Sequence, residues 1–171
     1  MMTFDIRPLT KHDAQAMRSL RLMGLETDSF AFGASYETES LQPLSFFENR
    51  CIKTSTKTLF GAFIGGRLVG LTSIVRQESL KANHYAGIYA VYIHPDVRGR
   101  GISSALLNTA IQQAKSWQGV EFLQLGVATT NQAAIHVYQK AGFKIVGTMP
   151  CALKVEGVDY DEHLMVLDMR R

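Results

Sequence analysis

Cysteine is scarce in this sequence, and the two cysteines that occur lie far apart. Cys51 and Cys151 form no CxxC pair, so the chain has neither a disulfide framework nor the cysteine spacing of a zinc site. We therefore expect both thiols to be reduced and partly buried, and we expect no bound metal.

The chain also lacks an apolar run of about 18 residues, the length that a helix needs to cross a bilayer. Near the N-terminus, Asp5 and Arg7 bring charge to a segment that would be apolar in a signal peptide. These two absences predict a cytoplasmic protein with no membrane partner.

Runs of five or six like charges are absent too, and 18 basic residues against 15 acidic ones give a net charge of +3. This balance suits an anionic ligand, but no basic stripe, recognition-helix signature or RNP-like aromatic strand is present, so nucleic acid is not an expected partner. A chain of 171 residues with 46% hydrophobic residues can form one packed core. We assign a single domain to residues 1–171.

The hydrophobic pattern changes period several times along the chain. Alternating and continuous apolar runs predict strands, with a Gly65-Gly66 hairpin turn between the second and third of them. Apolar residues at helical spacing predict four helices. The predicted strands cover residues 4–9, 59–64, 68–75, 87–93, 122–127, 143–149 and 160–169, and the helices lie at 10–26, after Pro43, from Gly101 onward and at 132–141. Hairpins in the middle and helical crossovers later predict a mixed sheet covered by helices.

One basic, glycine-bearing loop joins the strand that ends at His94 to the helix that begins near Ile102. The first N–H groups of such a helix are unpaired and its dipole adds partial positive charge. Gly99 and Gly101 would let a phosphate approach the backbone, and Arg98 and Arg100 would add full charges. The loop therefore predicts a pyrophosphate site.

Two other interpretations of this loop remain. A glycine-rich strand-to-helix turn can occur without any ligand. A Rossmann dinucleotide site would need a third glycine, where this chain has Ser104, and an acidic residue about 20 positions later at the end of a second strand.

The segment Arg98-Gly99-Arg100-Gly101-Ile102-Ser103 resembles motif A of the GNAT N-acetyltransferase superfamily, Q/R-x-x-G-x-G/A, and departs from it at Ser103. The resemblance implies that the backbone amides of the loop hold the pyrophosphate of coenzyme A (CoA). It also implies that the preceding strand binds the pantetheine arm as an added strand would. The cofactor-binding residues implied are Val91, Tyr92, Ile93, Arg98, Gly99, Arg100, Gly101, Ile102, Ser103, Ser104, Asn131 and Tyr138.

A second segment, residues 131–143, resembles motif B of the same family, N-x-x-A-x-x-x-Y-x-K-x-G-F, at every named position. The resemblance implies that Tyr138 lies near the thioester sulfur, where its phenol could protonate the leaving thiolate. Structural roles also fit this segment: Asn131 as a helix N-cap, Gly142 as a C-terminal cap and Tyr138 as a core aromatic.

The family resemblance covers nearly the whole chain and implies an α/β fold of mixed type. A central, mixed but mostly antiparallel twisted sheet of six to seven strands would be flanked by about four helices, as in GNAT-like acyl-CoA N-acyltransferases. The implied activity is transfer of the acetyl group of acetyl-CoA, the acyl-donor cosubstrate, to a primary amine of a small molecule or peptide. Attack would be direct, in a ternary complex, and a homodimer is compatible with the sequence. The alternative is a non-catalytic CoA-binding sensor or scaffold with the same fold.

The general base is left open by the sequence. Many relatives carry a glutamate on the central strand, but residues 87–93 contain no carboxylate. Tyr89, His84, Glu78 and the acidic residues near Glu37 are candidates, and a chain of waters could serve equally.

The loop between the first two helices is the expected acceptor site, because such folds build it from these helices, their loop and the late strands. Its aromatic and acidic side chains would suit a cationic amine, although an ordinary solvated loop would have the same composition. The residues concerned are Phe30, Phe32, Tyr36, Glu37 and Glu39. His94 and His163 are expected to be structural or exposed.

Overall fold

Within residues 3–170, seven strands and five α-helices follow one another in the order that the hydrophobic periods predict, with one additional α-helix. The computed structural model describes residues 3–170; Met1, Met2 and Arg171 of the assigned domain lie outside them. The elements are β1 (Asp5–Pro8), α1 (Ala14–Thr27), α2 (Tyr36–Ser40), α3 (Leu44–Cys51), β2 (Lys57–Ile64), β3 (Arg67–Arg76), β4 (Tyr85–Ile93), α4 (Ile102–Ser116), β5 (Phe122–Ala128), α5 (Gln132–Lys140), β6 (Lys144–Val155) and β7 (Val158–Asp168).

All seven strands form one sheet in the order β1-β2-β3-β4-β5-β7-β6. Every neighbouring pair is antiparallel except β4 and β5, which are parallel because helix α4 crosses over between them. The predicted mixed, mostly antiparallel sheet is therefore confirmed, at the upper end of the expected strand number.

Helices cover both faces of the sheet and divide the core in two. On one face α4 buries Leu106, Ala110 and Ala114 against the strands, as its apolar stripe predicts. On the other face α1 and α3 bury a second cluster that includes Met17 and Phe47. We call these the α4 face and the α1 face.

The structure departs from the sequence prediction at three places. Helix α2 was not expected, because its five residues are too few to display a period. Strand β6 continues past Pro150, where the prediction ended, since a register shift between Met149 and Leu153 accommodates the proline at a bulge. Cys151 in this bulge is exposed, so the expectation that both cysteines are partly buried is wrong for Cys151 and right only for Cys51.

Candidate active site

Strands β4 and β5 diverge and open the sheet at its centre. Their parallel register covers only Tyr85–Gly87 against Phe122–Gln124. Beyond Gly87 the two strands have no ladder to each other among residues 3–170, although β4 stays paired to β3 as far as Ile93. The facing backbone edges of β4 and β5 are therefore open to a ligand that runs between them.

A β-bulge in β4 lies within this opening. Leu71 of β3 pairs with Tyr92 and Ser73 pairs with Tyr89, so Ala90 and Val91 together lie opposite a single β3 residue. Ala90 has φ of 55°, in the left-handed region that a non-glycine residue rarely adopts. A bulge frees backbone groups from the ladder, which makes this point of β4 a candidate hydrogen-bond donor to a ligand.

The opening forms a cleft of about 610 Å³ that passes from one face of the sheet to the other. On the α4 face its walls include Val91, Asn131, Ala134 and Tyr138. On the α1 face its walls include Arg21, Phe32, Arg50, Lys57, Ser73, Tyr89 and Glu162. Two ligands entering from opposite faces would meet at the level of the β4 bulge.

The predicted phosphate loop stands at the carboxyl end of β4 and feeds α4. Gly99 and Gly101 have φ of 74° and 79°, conformations that favour glycine. A Cβ built on either glycine would have no atom within 4 Å, so the space above the loop is open. The loop thus presents bare backbone at a helix N-terminus, the geometry that binds phosphate.

Two side chains of the loop that the sequence assigns to ligand binding make contacts within the protein instead. Arg98 forms a salt bridge with Asp28 at the end of α1, and its Nε donates to the Ile93 carbonyl at 3.0 Å. Its charge is therefore largely neutralised by the protein itself. Ile102 is buried in the core, so only its backbone is available to a ligand, whereas Arg100 and Ser104 are exposed and Ser103 is half-buried.

The β4 residues predicted to bind the cofactor divide between the two faces. Val91 and Ile93 pack against the α4 face, next to the cleft and the loop. Tyr92 points to the α1 face, where its ring contacts Phe32 and its hydroxyl lies 3.0 Å from the hydroxyl of Thr27. The Tyr92 side chain therefore stabilises α1, and only its backbone faces the opening.

Helix α5 carries the second predicted cluster to the cleft. The side chain of Asn131 accepts a hydrogen bond from the Ala134 amide at 3.2 Å, and Gly142 ends the helix with φ of 101°. Both capping roles predicted for this segment are thus present. Asn131, Ala134 and Tyr138 also line the cleft, so capping and ligand contact do not exclude each other.

Tyr138 is 6% exposed and its ring packs against Phe143. Its hydroxyl has no hydrogen-bond partner among residues 3–170. Burial raises the pKa of the phenol to about 12. At neutral pH the group is therefore protonated and can act as a proton or hydrogen-bond donor, but not as a base.

Among the residues that the sequence offers as the base, Tyr89 lines the cleft. Tyr89 is 48% exposed on the α1 face. His84 contacts the rings of Tyr85 and Phe122 at the closed end of the β4–β5 pair. Glu78 accepts a hydrogen bond from Thr56, and Glu37 is exposed in the first turn of α2.

A carboxylate that the sequence did not indicate lies in the cleft. Glu162 of β7 pairs with Ala128 of β5 and reaches across the α1 face. Its Oε2 atom is 3.4 Å from the position that a Cβ on Gly126 would take, so the glycine leaves room for it. The alternation of residues along β7 could have placed Glu162 on one face of that strand. It could not have shown that β7 pairs with β5.

The predicted acceptor loop is only partly as expected. Phe32 lines the cleft, but Phe30 stacks on Tyr160 of β7 at 5.6 Å between ring centroids and so attaches the loop to the sheet. Glu39 is 5% exposed and forms salt bridges with Arg21 and Arg50. The expected acidic surface for a cationic amine is thus absent at Glu39, because that charge is neutralised within the protein.

The two histidines have the structural or exposed positions expected of them. His94 is buried, and its Nδ1 accepts a hydrogen bond from the Asp96 amide at the start of the phosphate loop. His163 lies 2.8 Å from the hydroxyl of Thr148 on the β6–β7 hairpin. Within residues 3–170, no group of three or more metal-ligating side chains occurs, and no helix has the length and apolarity to cross a membrane.

Comparison with known sequences gives one family and several enzymes. The model of the Acetyltransferase (GNAT) family matches residues 21–143. N-alpha-acetyltransferase RimI of Mycobacterium tuberculosis is 31% identical over 92% of each chain. L-amino acid N-acyltransferase MnaT of Escherichia coli is 29% identical over 60% of this chain, which spans 62% of the length of MnaT.

Solved structures agree with the sequence comparison. A GNAT-family acetyltransferase from Streptococcus pneumoniae superposes with a TM-score of 0.87 at 27% identity, covering 98% of this chain and 99% of the other. The Salmonella typhimurium YncA structure, a putative acetyltransferase with its cofactor acetyl-CoA, has a TM-score of 0.81 at 20% identity over 99% and 95% of the two chains. Since the family model covers well over half of the sequence and includes both the loop and helix α5, the chain belongs to the GNAT acetyltransferase family.

Proposed function

We propose that this protein is an acetyl-CoA-dependent N-acetyltransferase that acetylates a primary amine by direct attack in a ternary complex. The observation that carries the proposal is the divergence of β4 and β5. It opens a cleft with polar side chains on its α1 face, and β4, which forms one edge of that cleft, leads at its carboxyl end into the phosphate-type loop. The names of the relatives support an amine acceptor, since MnaT is an L-amino acid N-acyltransferase and RimI an N-alpha-acetyltransferase.

The donor half of the proposal rests on the loop and on β4. Backbone amides between Gly99 and Ser104 would hold the pyrophosphate of CoA. The pantetheine arm would follow the open edge of β4 from Ile93 towards Val91, with Asn131 at the opposite wall. In this arrangement the thioester lies beside the β4 bulge and Tyr138.

The chemistry requires a neutral amine, a donor for the carbonyl oxygen and an acid for the thiolate. The amine nitrogen bonds to the acetyl carbon while a proton passes from it to Glu162 or an adjacent water. A backbone amide at the bulge, near Val91, would stabilise the charge on the carbonyl oxygen. The carbon–sulfur bond then breaks and Tyr138 donates to the departing sulfur. Tyr138 keeps its own proton and donates only a hydrogen bond, so water carries the proton released by the amine to the thiolate, and the products are an N-acetyl amine and free CoA thiol.

A route through an acetylated cysteine is disfavoured by both thiols. Burial raises the pKa of Cys51 to about 11, so its thiolate is scarce at neutral pH. Cys151 is exposed on β6 and does not line the cleft. Direct transfer needs neither residue.

A CoA-binding sensor remains the alternative function. Its basis was the absence of a carboxylate from β4, and the presence of Glu162 in the cleft weakens it. The proposal includes three further expectations from the sequence. The chain forms a single domain, the protein is cytoplasmic, and a homodimer is compatible with it.

Two measurements on the same protein separate these functions. In a melting assay, acetyl-CoA at about 100 times its dissociation constant should stabilise the fold by about 2.7 kcal/mol, and NAD should not. Release of free thiol from acetyl-CoA should then depend on an added amine. Stabilisation without thiol release by any amine would favour the sensor, and no stabilisation by any acyl-CoA would refute both functions.

A further inference from the structure

Positive charge is in excess on the α1-face wall of the cleft. Four charged residues line the cleft within residues 3–170, and three of them are basic: Arg21, Arg50 and Lys57. The fourth, Glu162, extends from β7 on the opposite wall. We call the three basic residues the basic wall.

Glu39 lies behind this wall and is shared by two guanidinium groups. Arg21 donates to it through two nitrogens, at 3.0 Å and 2.9 Å, and so forms a bidentate pair. Arg50 donates through a single nitrogen, at 3.0 Å, to the Oε1 atom that Arg21 also contacts. One carboxylate thus balances the charge of one of the two guanidinium groups, and an excess positive charge is left at the cleft.

Arg50 is the residue that presents this excess charge. Its side chain is 31% exposed, whereas that of Arg21 is 6% exposed. A guanidinium has five N–H donors, and only one hydrogen bond from Arg50 to residues 3–170 is present. Burial, together with the positive charge of Arg21, lowers the pKa of Arg50, the direction expected for an incompletely compensated cation.

The basic wall is separate from the phosphate loop. Arg21 precedes Asp28 by two turns of α1, which is about 10 Å of helix rise, and Asp28 is the residue that pairs with Arg98 of the loop. Lys57 pairs with Val75 of β3, and Val75 pairs in turn with Gly87 of β4. At Gly87, β4 and β5 are still paired. The wall therefore lies on the acceptor side of the β4 bulge.

We propose that the basic wall binds a carboxylate of the acceptor, so that the substrate is a small amino acid or a similar amine with a nearby carboxylate. This inference rests on the proposed acetyltransferase function and deepens it. A carboxylate can take two parallel hydrogen bonds from the free edge of a guanidinium such as Arg50, and its charge balances the excess. The amine of the same molecule would then extend towards Glu162 and the thioester.

Polycations are disfavoured by the same observations. Among residues 3–170, a polyamine or aminoglycoside would meet three cations lining the cleft and a single lining carboxylate, that of Glu162. The cleft of about 610 Å³ must also hold the end of the pantetheine arm, which leaves room for one small acceptor.

Pairs of acceptors that differ only in the carboxylate test this proposal. Thiol release from acetyl-CoA would be measured with the twenty L-amino acids and, for each active one, with its decarboxylated amine and its amide. Two charge-assisted hydrogen bonds predict kcat/KM at least about 10- to 100-fold higher for the acid. Equal or faster turnover of the decarboxylated amine would overturn the inference and leave the acetyltransferase function intact. No thiol release with any amine would refute both.

Arg50→Gln provides the test within the protein. It should raise KM for the amino acid by about 10- to 100-fold, with little change in kcat, and leave kcat/KM for the decarboxylated amine unchanged. Arg18→Gln is the matched control, because Arg18 lies over Phe47 and donates to the Ser40 carbonyl without lining the cleft. It should preserve the preference.

A second variant tests the basic wall even if Arg50→Gln fails to fold. Lys57→Met removes charge from the edge of the wall, where the Lys57 ammonium donates a hydrogen bond to the Asn49 carbonyl. It should weaken the preference for the acid in the same direction but less. If either wall variant lowered kcat/KM equally for acid and decarboxylated amine, the wall would have a structural role and the inference would be wrong.

Discussion

Replacing Tyr138 with phenylalanine separates leaving-group chemistry from packing more cleanly than most tyrosine substitutions do. The ring of Tyr138 is buried against Phe143, and the variant keeps that contact. The hydroxyl has no hydrogen-bond partner among residues 3–170, so its removal leaves no protein group unpaired. We therefore expect the free energy of unfolding to change by less than about 1 kcal/mol.

The size of the kinetic effect follows from the pKa of the phenol. A thiol has a pKa of about 8.5, and burial raises that of Tyr138 to about 12. Complete proton transfer from phenol to a thiolate with an ordinary pKa would thus be uphill by roughly 5 kcal/mol. A hydrogen bond to the developing thiolate is the more favourable role, and bonds to charged groups contribute about 1.5–3 kcal/mol. The chemical step of Tyr138→Phe should therefore be slower by about 10- to 150-fold.

Single-turnover mixing of enzyme, acetyl-CoA and a verified acceptor would measure that step directly. Because the phenol stays protonated up to high pH, the parent enzyme should show no loss of rate from Tyr138 between pH 6 and about 10. Tyr85→Phe is the matched control, since Tyr85 stacks on Phe122 at the closed end of the β4–β5 pair, outside the cleft. A single-turnover rate of Tyr138→Phe equal to that of the parent would refute the role and leave water as the donor.

Two further predictions concern the phosphate loop and the first helix. Gly101→Val should weaken CoA binding by at least tenfold in a titration, whereas Gly157→Val, at a hairpin glycine with the same φ of about 80° and the same open surroundings, should cost similar stability without that loss; equal CoA affinity in both variants would remove the pyrophosphate from the loop. The hydrogen-bonded guanidinium of Arg7 is the main cause that lowers the pKa of Asp13 to about 2. This pair should therefore stabilise the fold, by up to about 1 kcal/mol, above pH 4 and lose that contribution as the pH falls towards 2. Urea unfolding of Arg7→Gln should show a smaller acid dependence in that range, and an unchanged one would contradict the assignment.

The sequence predicted the glycine loop before α4 and the caps of α5 because the residues that form each are contiguous. Gly99 and Gly101 stand next to a helix start, and their positive φ values follow from residue type and local sterics alone. Asn131 and Gly142 cap α5 by contacts within a few residues. Local interactions of this kind can be predicted from a single sequence, and the family resemblance rests on the same segments.

Salt bridges between residues that are far apart in the sequence could not be predicted in this way. The aromatic and acidic loop suggested a cationic acceptor, yet Glu39 faces Arg21 and Arg50, which are 18 and 11 residues away in the chain. Arg98 was counted as a free charge for the ligand, yet Asp28, 70 residues away, pairs with it. Composition counts charges, but the sign of a site depends on which charges the fold has already neutralised.

The two faces of β5 differ around Gly126. On β5 the neighbouring Leu125 and Val127 point to the α4 face and join the core with Tyr138. Gly126 points to the α1 face, where its missing side chain leaves room for the carboxylate of Glu162. The phosphate-type loop and α5 therefore depend on contacts close in sequence, whereas the α1-face wall that carries Glu162 forms only after β7 has inserted between β5 and β6. In the proposed enzyme, acceptor choice would thus depend on long-range contacts that a short motif does not encode.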